Sequence, residues 1–317
     1  MISKPGFRIG FKNIFVLMAL LCSYNLAVAD EEAVEVKEYS KGANQCMSCH
    51  REGRDPSAHE IFLSPMGISN APDSPFADGN HDCETCHGPS ASHRKKQEDG
   101  TRLSPDVAFN ETTPAHRVNE VCLSCHNGDN AIHWTGSMHE EEEVACSDCH
   151  EVHAVQDPVM DKLAQQEKCF ACHERVRAQT YRASSHPLRF GEMTCTDCHN
   201  AHDGDNDYLL TQSTVNDTCY TCHAEKRGPY LWEHAPVTED CSLCHSPHGS
   251  NHASLLKQRS PLLCQQCHSP AGHPAVPYTS ETAENSFQQR FMLARSCNNC
   301  HTQVHGSNHP SGVTQFR

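Results

Sequence analysis

Apolar residues are thinly scattered along this chain, and only Ile14 to Leu21 gathers them into an unbroken run. Elsewhere no strict apolar–polar alternation is visible, so strands are not expected and the chain is not itself a β-barrel. Two stretches, Val159–Arg182 and Glu281–Arg295, have helical composition, and short helices are expected to end on several Cys-His pairs. Pairs such as Gly88-Pro89, Ser246-Pro247 and Ser269-Pro270 break the rest into turns. Residues 90–114 read as a polar, charged excursion. The acidic run Glu140–Glu143 reads as a solvated face or a docking patch.

The apolar run lies behind Lys4, Arg8 and Lys12 and ahead of Ala27-Val28-Ala29. That order of basic, apolar and small-residue segments is a cleavable signal peptide covering residues 1–29, too short in its apolar part to span a bilayer. A lipoprotein signal centred on Cys22 is the rival, but Leu21 stands where that processing needs a small residue. No other segment is apolar enough to cross a membrane as a helix, so the mature chain is expected to be exported to the periplasm.

Charge and composition narrow the picture further. The chain carries a formal charge of −15, which loss of the three basic residues in the signal takes to −18. No basic patch exists to neutralise phosphates, which argues against a nucleic-acid partner. With 37% hydrophobic residues and 6% aromatics, an ordinary side-chain core is hard to build. Some other buried apolar body is required.

The cysteines identify it. Ten Cys-x-x-Cys-His motifs run along the chain. In order they are Cys46, Cys49 and His50; Cys83, Cys86 and His87; Cys122, Cys125 and His126; Cys146, Cys149 and His150; and Cys169, Cys172 and His173. The second half continues with Cys195, Cys198 and His199; Cys219, Cys222 and His223; Cys241, Cys244 and His245; Cys264, Cys267 and His268; and Cys297, Cys300 and His301. They account for every cysteine after residue 29. The spacing is that of c-type haem attachment: two thiols add across the two vinyl groups of one haem, and the adjacent histidine becomes the proximal iron ligand. Zinc knuckles, a thioredoxin-like pair or disulfides would leave ten adjacent histidines unexplained. Ten covalently attached haem c groups are expected.

Fifteen further histidines supply candidates for the sixth ligand. His153, His202 and His248 each follow a proximal histidine by three residues, and His305 follows one by four. His139, His186 and His234 precede a motif by seven to nine residues, while His59, His93 and His273 are the sensible choices in their own segments. His81, His116, His133 and His252 read as ordinary exposed residues. Methionine ligation through Met66 or Met138 would raise a potential, but Met138 stands beside the better candidate His139. Ten bis-histidine irons would leave no open position for substrate, which argues for electron transfer and against an enzyme.

Successive first cysteines are 37, 39, 24, 23, 26, 24, 22, 23 and 33 residues apart. Such regular, short spacing expects a multihaem fold, mostly coil with short α-helices and little or no β, wrapped around a linear, extended haem array.

Residues in this pattern resemble the MtrA/DmsE/PioA type of periplasmic decahaem cytochrome. The resemblance covers nearly the whole mature chain. It is carried by Cys86-His87-Gly88-Pro89, Trp134 to His139, Ala145-Cys146 with Cys149–His153, and Ser185-His186-Pro187-Leu188. It continues through Ser213–Arg227, Trp232–Val237 and the tail Val304–Gly312. What the resemblance implies is two pentahaem halves, residues 30–185 and 186–317, with bis-histidine ligation. It extends distal-ligand status to His59, His93, His139, His153, His186, His202, His234, His248, His273 and one of His305 or His309. His305 is preferred, since His305-Gly306-Ser307 repeats His248-Gly249-Ser250. Between His59 and Cys83 this chain departs from the family and carries an extra His81.

The same resemblance implies an electron conduit inserted in a porin-like outer-membrane β-barrel. Its donor would be an inner-membrane quinol-oxidising cytochrome or a periplasmic carrier. Its acceptor would be an extracellular multihaem cytochrome or a surface dimethyl-sulfoxide-type reductase, in anaerobic or extracellular respiration. Two other readings compete. A freely soluble periplasmic carrier needs no barrel, and a reductase of nitrite, hydroxylamine or tetrathionate needs a vacant iron position that none of the ten motifs suggests.

Overall fold

The computed structural model describes residues 38–316 except 41, 55–57, 69, 72, 78–80, 129–132, 204–205, 207 and 269–296. The expected signal peptide, His273 and the helix expected at 281–295 lie outside the described residues. Tyr39–Arg317 forms one compact unit, and contacts such as Gln165 to Thr196 and Ser184 to Ser250 cross residue 185 within it. Among the described residues there is no strand, only isolated bridges, and no helix is long and apolar enough to cross a membrane. The longest described helix, α1 at Ala115–Leu123, has 9 residues.

One local unit recurs ten times. In every motif the histidine N–H donates to the carbonyl of the first cysteine, four residues back, at 2.8–3.0 Å. This single α-turn sets the two cysteines three residues apart on one face, as attachment to one planar group requires. The helix expected over 159–182 breaks for this reason. A 3₁₀ turn at Pro158–Met160 is followed by α2 (Gln165–Phe170), the end of the fifth motif, and α3 (Glu174–Thr180). His173, at φ −89 and ψ 52, leaves helical geometry between them.

Motifs are tied in twos by one polar side chain. Asn119, three residues before Cys122, donates to Val144 O at 3.0 Å and accepts the Cys146 N–H at 2.8 Å. Asn216, three before Cys219, repeats this with Val237 O at 2.9 Å and the Cys241 N–H at 2.7 Å. Gln165 plays the part toward Thr196, and Ser260 toward Asn298. Asn119 is only 3% exposed, so truncating it would orphan two buried backbone groups.

Buried hydrophobic side chains are few, among them Ile61, Val107, Val118, Trp134 and Phe170. The excursion at 90–114 is not merely a polar loop. It buries Val107, at 3% exposure, and closes through a bridge between Lys96 and Arg102. The acidic run is also partly structural: Ser137 caps α4 (Met138–Glu141), and the Glu140 carboxylate accepts the Gly136 N–H at 2.6 Å.

Ser184 and Ser250 exchange backbone hydrogen bonds at 2.9 and 2.8 Å, and Trp232 and Ser307 do so at 2.9 Å. In both cases a glycine precedes the serine in the left-handed half of backbone space, Gly249 at φ 148 and Gly306 at φ 130. A Cβ on Gly249 would overlap the Gln179 carbonyl. Gly249→Ala in the haem-loaded protein should therefore lower stability by about 1–3 kcal/mol, the usual cost of a strained backbone position. An unchanged thermal midpoint by circular dichroism would refute this account of the glycine.

Candidate functional site

The ten turns do not stand apart. First cysteines of neighbouring motifs lie within thiol hydrogen-bonding reach in five couples: Cys46 with Cys83, Cys122 with Cys146, Cys169 with Cys195, Cys219 with Cys241, and Cys264 with Cys297. In the first couple the Cys83 thiol hydrogen bond draws Cys46 down to about 7, whereas Cys83 itself is pushed up. Second cysteines feel one another's charge across the couples. Burial first, and then the Cys125 thiolate, push Cys86 up; Cys172 contributes in the same sense to Cys149 and Cys222 to Cys198. Cys267 likewise contributes to the upward push on Cys244. From the second motif to the ninth, each motif thus has one cysteine that interacts with its predecessor and another that interacts with its successor, in chain order.

Histidine rings face one another at a narrow range of distances. His50 and His93 have centroids 6.1 Å apart, His87 and His153 6.1 Å, His150 and His202 5.9 Å, and His199 and His248 6.0 Å. His173 and His139 stand at 6.2 Å, His223 and His186 at 6.5 Å, His268 and His234 at 6.0 Å, and His245 and His305 at 6.3 Å. Every pair joins a motif histidine to one of the candidate distal residues. Two imidazoles on opposite sides of one metal should have centroids about 6.3 Å apart, from two metal–nitrogen bonds of about 2.0–2.1 Å and about 1.1 Å within each ring. The residues therefore fit a six-coordinate haem iron.

Proton placement supports the same use. Nδ1 of His87 donates to Val107 O at 3.0 Å, that of His199 to Tyr208 O at 2.8 Å, and that of His245 to Ser254 O at 2.8 Å. His301 does so to Thr314 O at 2.7 Å and His93 to Leu103 O at 2.5 Å. A carbonyl only accepts, so the proton sits on Nδ1 and Nε2 is the nitrogen whose lone pair a metal would take. Burial also holds His87, His153, His248 and His305 below the usual imidazole range, favouring the neutral, ligating form.

A further register emerges that spacing did not reveal. His139, His186 and His234 donate to Ala201 O, Pro247 O and Val304 O at 3.0, 2.9 and 2.9 Å. Those carbonyls immediately precede His202, His248 and His305. Each even-numbered motif from the fourth to the tenth offers, three or four residues on, the ring that faces the motif two places earlier. The odd-numbered motifs five, seven and nine face rings from the linker between the third and fourth, fifth and sixth, and seventh and eighth motifs. No signal in one sequence distinguishes this two-motif stagger from purely local pairing.

The remaining candidates are less fully placed. Among the described residues neither His59 nor His126 faces another histidine in this way, and His301 is described without His273. His81 is exposed and stacks on Tyr39 at 3.8 Å. Met138 is 52% exposed while His139 turns inward to His173. His309 has the opposite tautomer, since its Nδ1 accepts the Ser311 N–H at 3.2 Å and lies 2.9 Å from the Ser311 hydroxyl. Trp134, 6% exposed, packs between His139 and His202, and its Nε1–H has no partner among the described residues. A haem carboxylate would satisfy such an orphan donor. No group of three or more His, Cys, Asp or Glu residues converges on a simple metal-ion site among the described residues.

Comparison with known proteins agrees with this chemistry. Residues 186–228 and 234–273 match the family described as "Doubled CXXCH motif", and residues 83–164 match "Cytochrome c-type protein NrfB-like". The chain is 44% identical over 290 residues, 90% of its length and 84% of the relative's, to the "Multiheme cytochrome MtrA" of Shewanella baltica (strain OS185).

Substitution at the tail separates the two candidates there. His305→Met should raise one component of the voltammogram, and His309→Ala should leave all of them in place. The reverse result would mean that the ring facing His245 is not the ligand.

Proposed function

The chain belongs to the MtrA family of multihaem c-type cytochromes, and from that premise we propose that it is a decahaem electron conduit crossing the outer membrane inside a porin-like β-barrel. It is an electron-transfer cytochrome carrying covalently bound haem c, not an enzyme. The observation that carries the proposal is the set of eight histidine ring pairs, 5.9–6.5 Å apart, on motifs that adjoin in chain order. Haem c supplies one-electron exchange between ferric and ferrous iron.

The ring pairs support an assignment of the residues that would hold ten such groups. The twenty motif cysteines would form the thioethers, and the ten motif histidines would each ligate one iron. His93, His153, His202, His139, His248, His186, His305 and His234 close the irons of motifs one, two, four, five, six, seven, eight and nine. Extending the stagger, His59 closes the third, and His273 is left for the tenth. Backbone carbonyls fix the rings in the ligating tautomer, and ring closure on both sides excludes substrate and water. Five motifs fall on either side of residue 185, which we keep as the division between two pentahaem halves.

Family membership is what supports placement in a barrel. No described helix is long and apolar enough to cross a membrane, and in a barrel the partner would supply the lipid-facing surface. A cleaved signal at residues 1–29 delivers the chain to the periplasm, where a quinol-oxidising cytochrome or a small carrier reduces it. An extracellular multihaem cytochrome or a surface reductase takes the electrons on.

Native membranes and periplasm test this directly. The protein should extract with the outer membrane and co-purify with a β-barrel. In liposomes it should link an external reductant to an enclosed acceptor only when that barrel is present. Recovery in the soluble periplasm alone, with no barrel attached, would instead mean a diffusing carrier.

A further inference from the structure

His87, His93, His139, His186, His199, His234, His245 and His301 each donate Nδ1 to a backbone carbonyl oxygen. His150 differs from these eight. His150 Nδ1 lies 2.6 Å from Oδ2 of Asp157, the acceptor being a charged carboxylate. The contrast falls within one repeated design. After motifs six, eight and ten the chain loops back and offers a carbonyl, of Tyr208, Ser254 or Thr314, to the motif's own histidine. After motif four the loop is closed by the side chain of Asp157 instead.

Asp157 is held in that position. Its other oxygen accepts the N–H groups of Glu151 and Val159, both at 3.2 Å, and Pro158 follows in a 3₁₀ turn. His150 and Asp157 side chains are 32% and 22% exposed, so solvent screens them only in part. The nearby ammonium of Lys168 pairs with Glu151 rather than with Asp157. His223 also has a carboxylate in its vicinity: Glu225 lies 3.7 Å from its Nδ1, beyond hydrogen-bond distance, with both side chains more than half exposed. On the far side of the His150 pair, the buried Trp134 ring packs 6.0 Å from that of His202.

We infer that Asp157 is a redox-tuning residue, setting the iron bound by His150 and His202 at a more negative potential than those whose ligands are supported by backbone carbonyls. The inference rests on the ligand assignment above. A carboxylate draws the Nδ1 proton toward itself more strongly than a carbonyl does, so the imidazole becomes a more basic, more anionic ligand. That ligand favours ferric over ferrous iron, and the carboxylate's own negative charge acts in the same direction. The tuned position is the fourth of the ten motifs, an interior step in the row.

The test uses the mature, haem-loaded protein and reads potentials and spectra, with covalent haem number checked by mass. Asp157→Asn removes the charge, and Asp157→Ser removes it while keeping a side-chain cap for the turn. Both should shift one component of the voltammogram upward, with a matching change in one low-spin electron paramagnetic signal, while Asp157→Glu should return it toward the native position. His202→Met identifies the component, and combined with Asp157→Asn it should move that same component further. If His202→Met moves a component and neither charge-removing variant does, the tuning role is wrong. If His202→Met moves nothing, the ligand assignment itself has failed. A purely structural role for Asp157 would appear as lower haem content or thermal stability with every potential in place.

Discussion

Everything in this fold answers to one geometric requirement, that two imidazole nitrogens face each other across the width of a single metal ion. Chain segments carrying a motif and its facing histidine come from places far apart in sequence, as with His87 and His153. Holding them to a tolerance of tenths of an ångström takes more than packing, because few apolar side chains are buried. The hydrogen bond from Nδ1 to a fixed oxygen does much of this. It sets the ring's rotation and its proton in one contact, and the same contact often belongs to the loop that presents the next facing ring.

This arrangement explains why so polar a chain can be compact. Ordinary domains of this size rely on a side-chain core, and here the described residues offer only isolated apolar contacts such as Val118 and Phe170. Porphyrin faces supply the missing surface. Order in the polypeptide then comes from polar ties, Asn119 and Asn216 above all, which bind the turn of one motif to the start of the next. Each tie satisfies two backbone groups, so it costs nothing in unpaired donors.

Much of this was legible in the sequence, and the reason is chemical. Covalent attachment imposes a spacing that no other role for those residues requires, and each turn carries it in the same hydrogen bond. Sparse short helices and the absence of strands among the described residues followed from the lack of periodicity. The helix over 159–182 was misjudged because composition does not register that His173 must leave helical geometry to reach an iron. The polar segment 90–114 hid Val107, whose carbonyl supports His87, since a lone valine among charged residues carries no periodic signal. The pairing of histidines was illegible for a deeper reason. Stagger by two motifs is a property of how successive loops stack, and a single chain does not state which loop lies on which.

That stagger also bears on how the array behaves as a unit. If each ring were drawn from its own motif's neighbourhood, the ten sites could form and loosen independently. With His153 facing His87, His202 facing His150, His248 facing His199 and His305 facing His245, each even motif instead completes the site two places before it. The odd sites are stitched to the even ones through His139, His186 and His234, whose partner carbonyls adjoin those same rings. Loosening one loop therefore weakens two sites, and the disturbance passes along the row rather than outward into solvent. A conductor that must keep successive centres at fixed spacing gains from such coupling. It is the reason the carboxylate at Asp157 can change one site's chemistry without needing a different architecture around it: the frame is set by its neighbours, and the acceptor atom is free to vary.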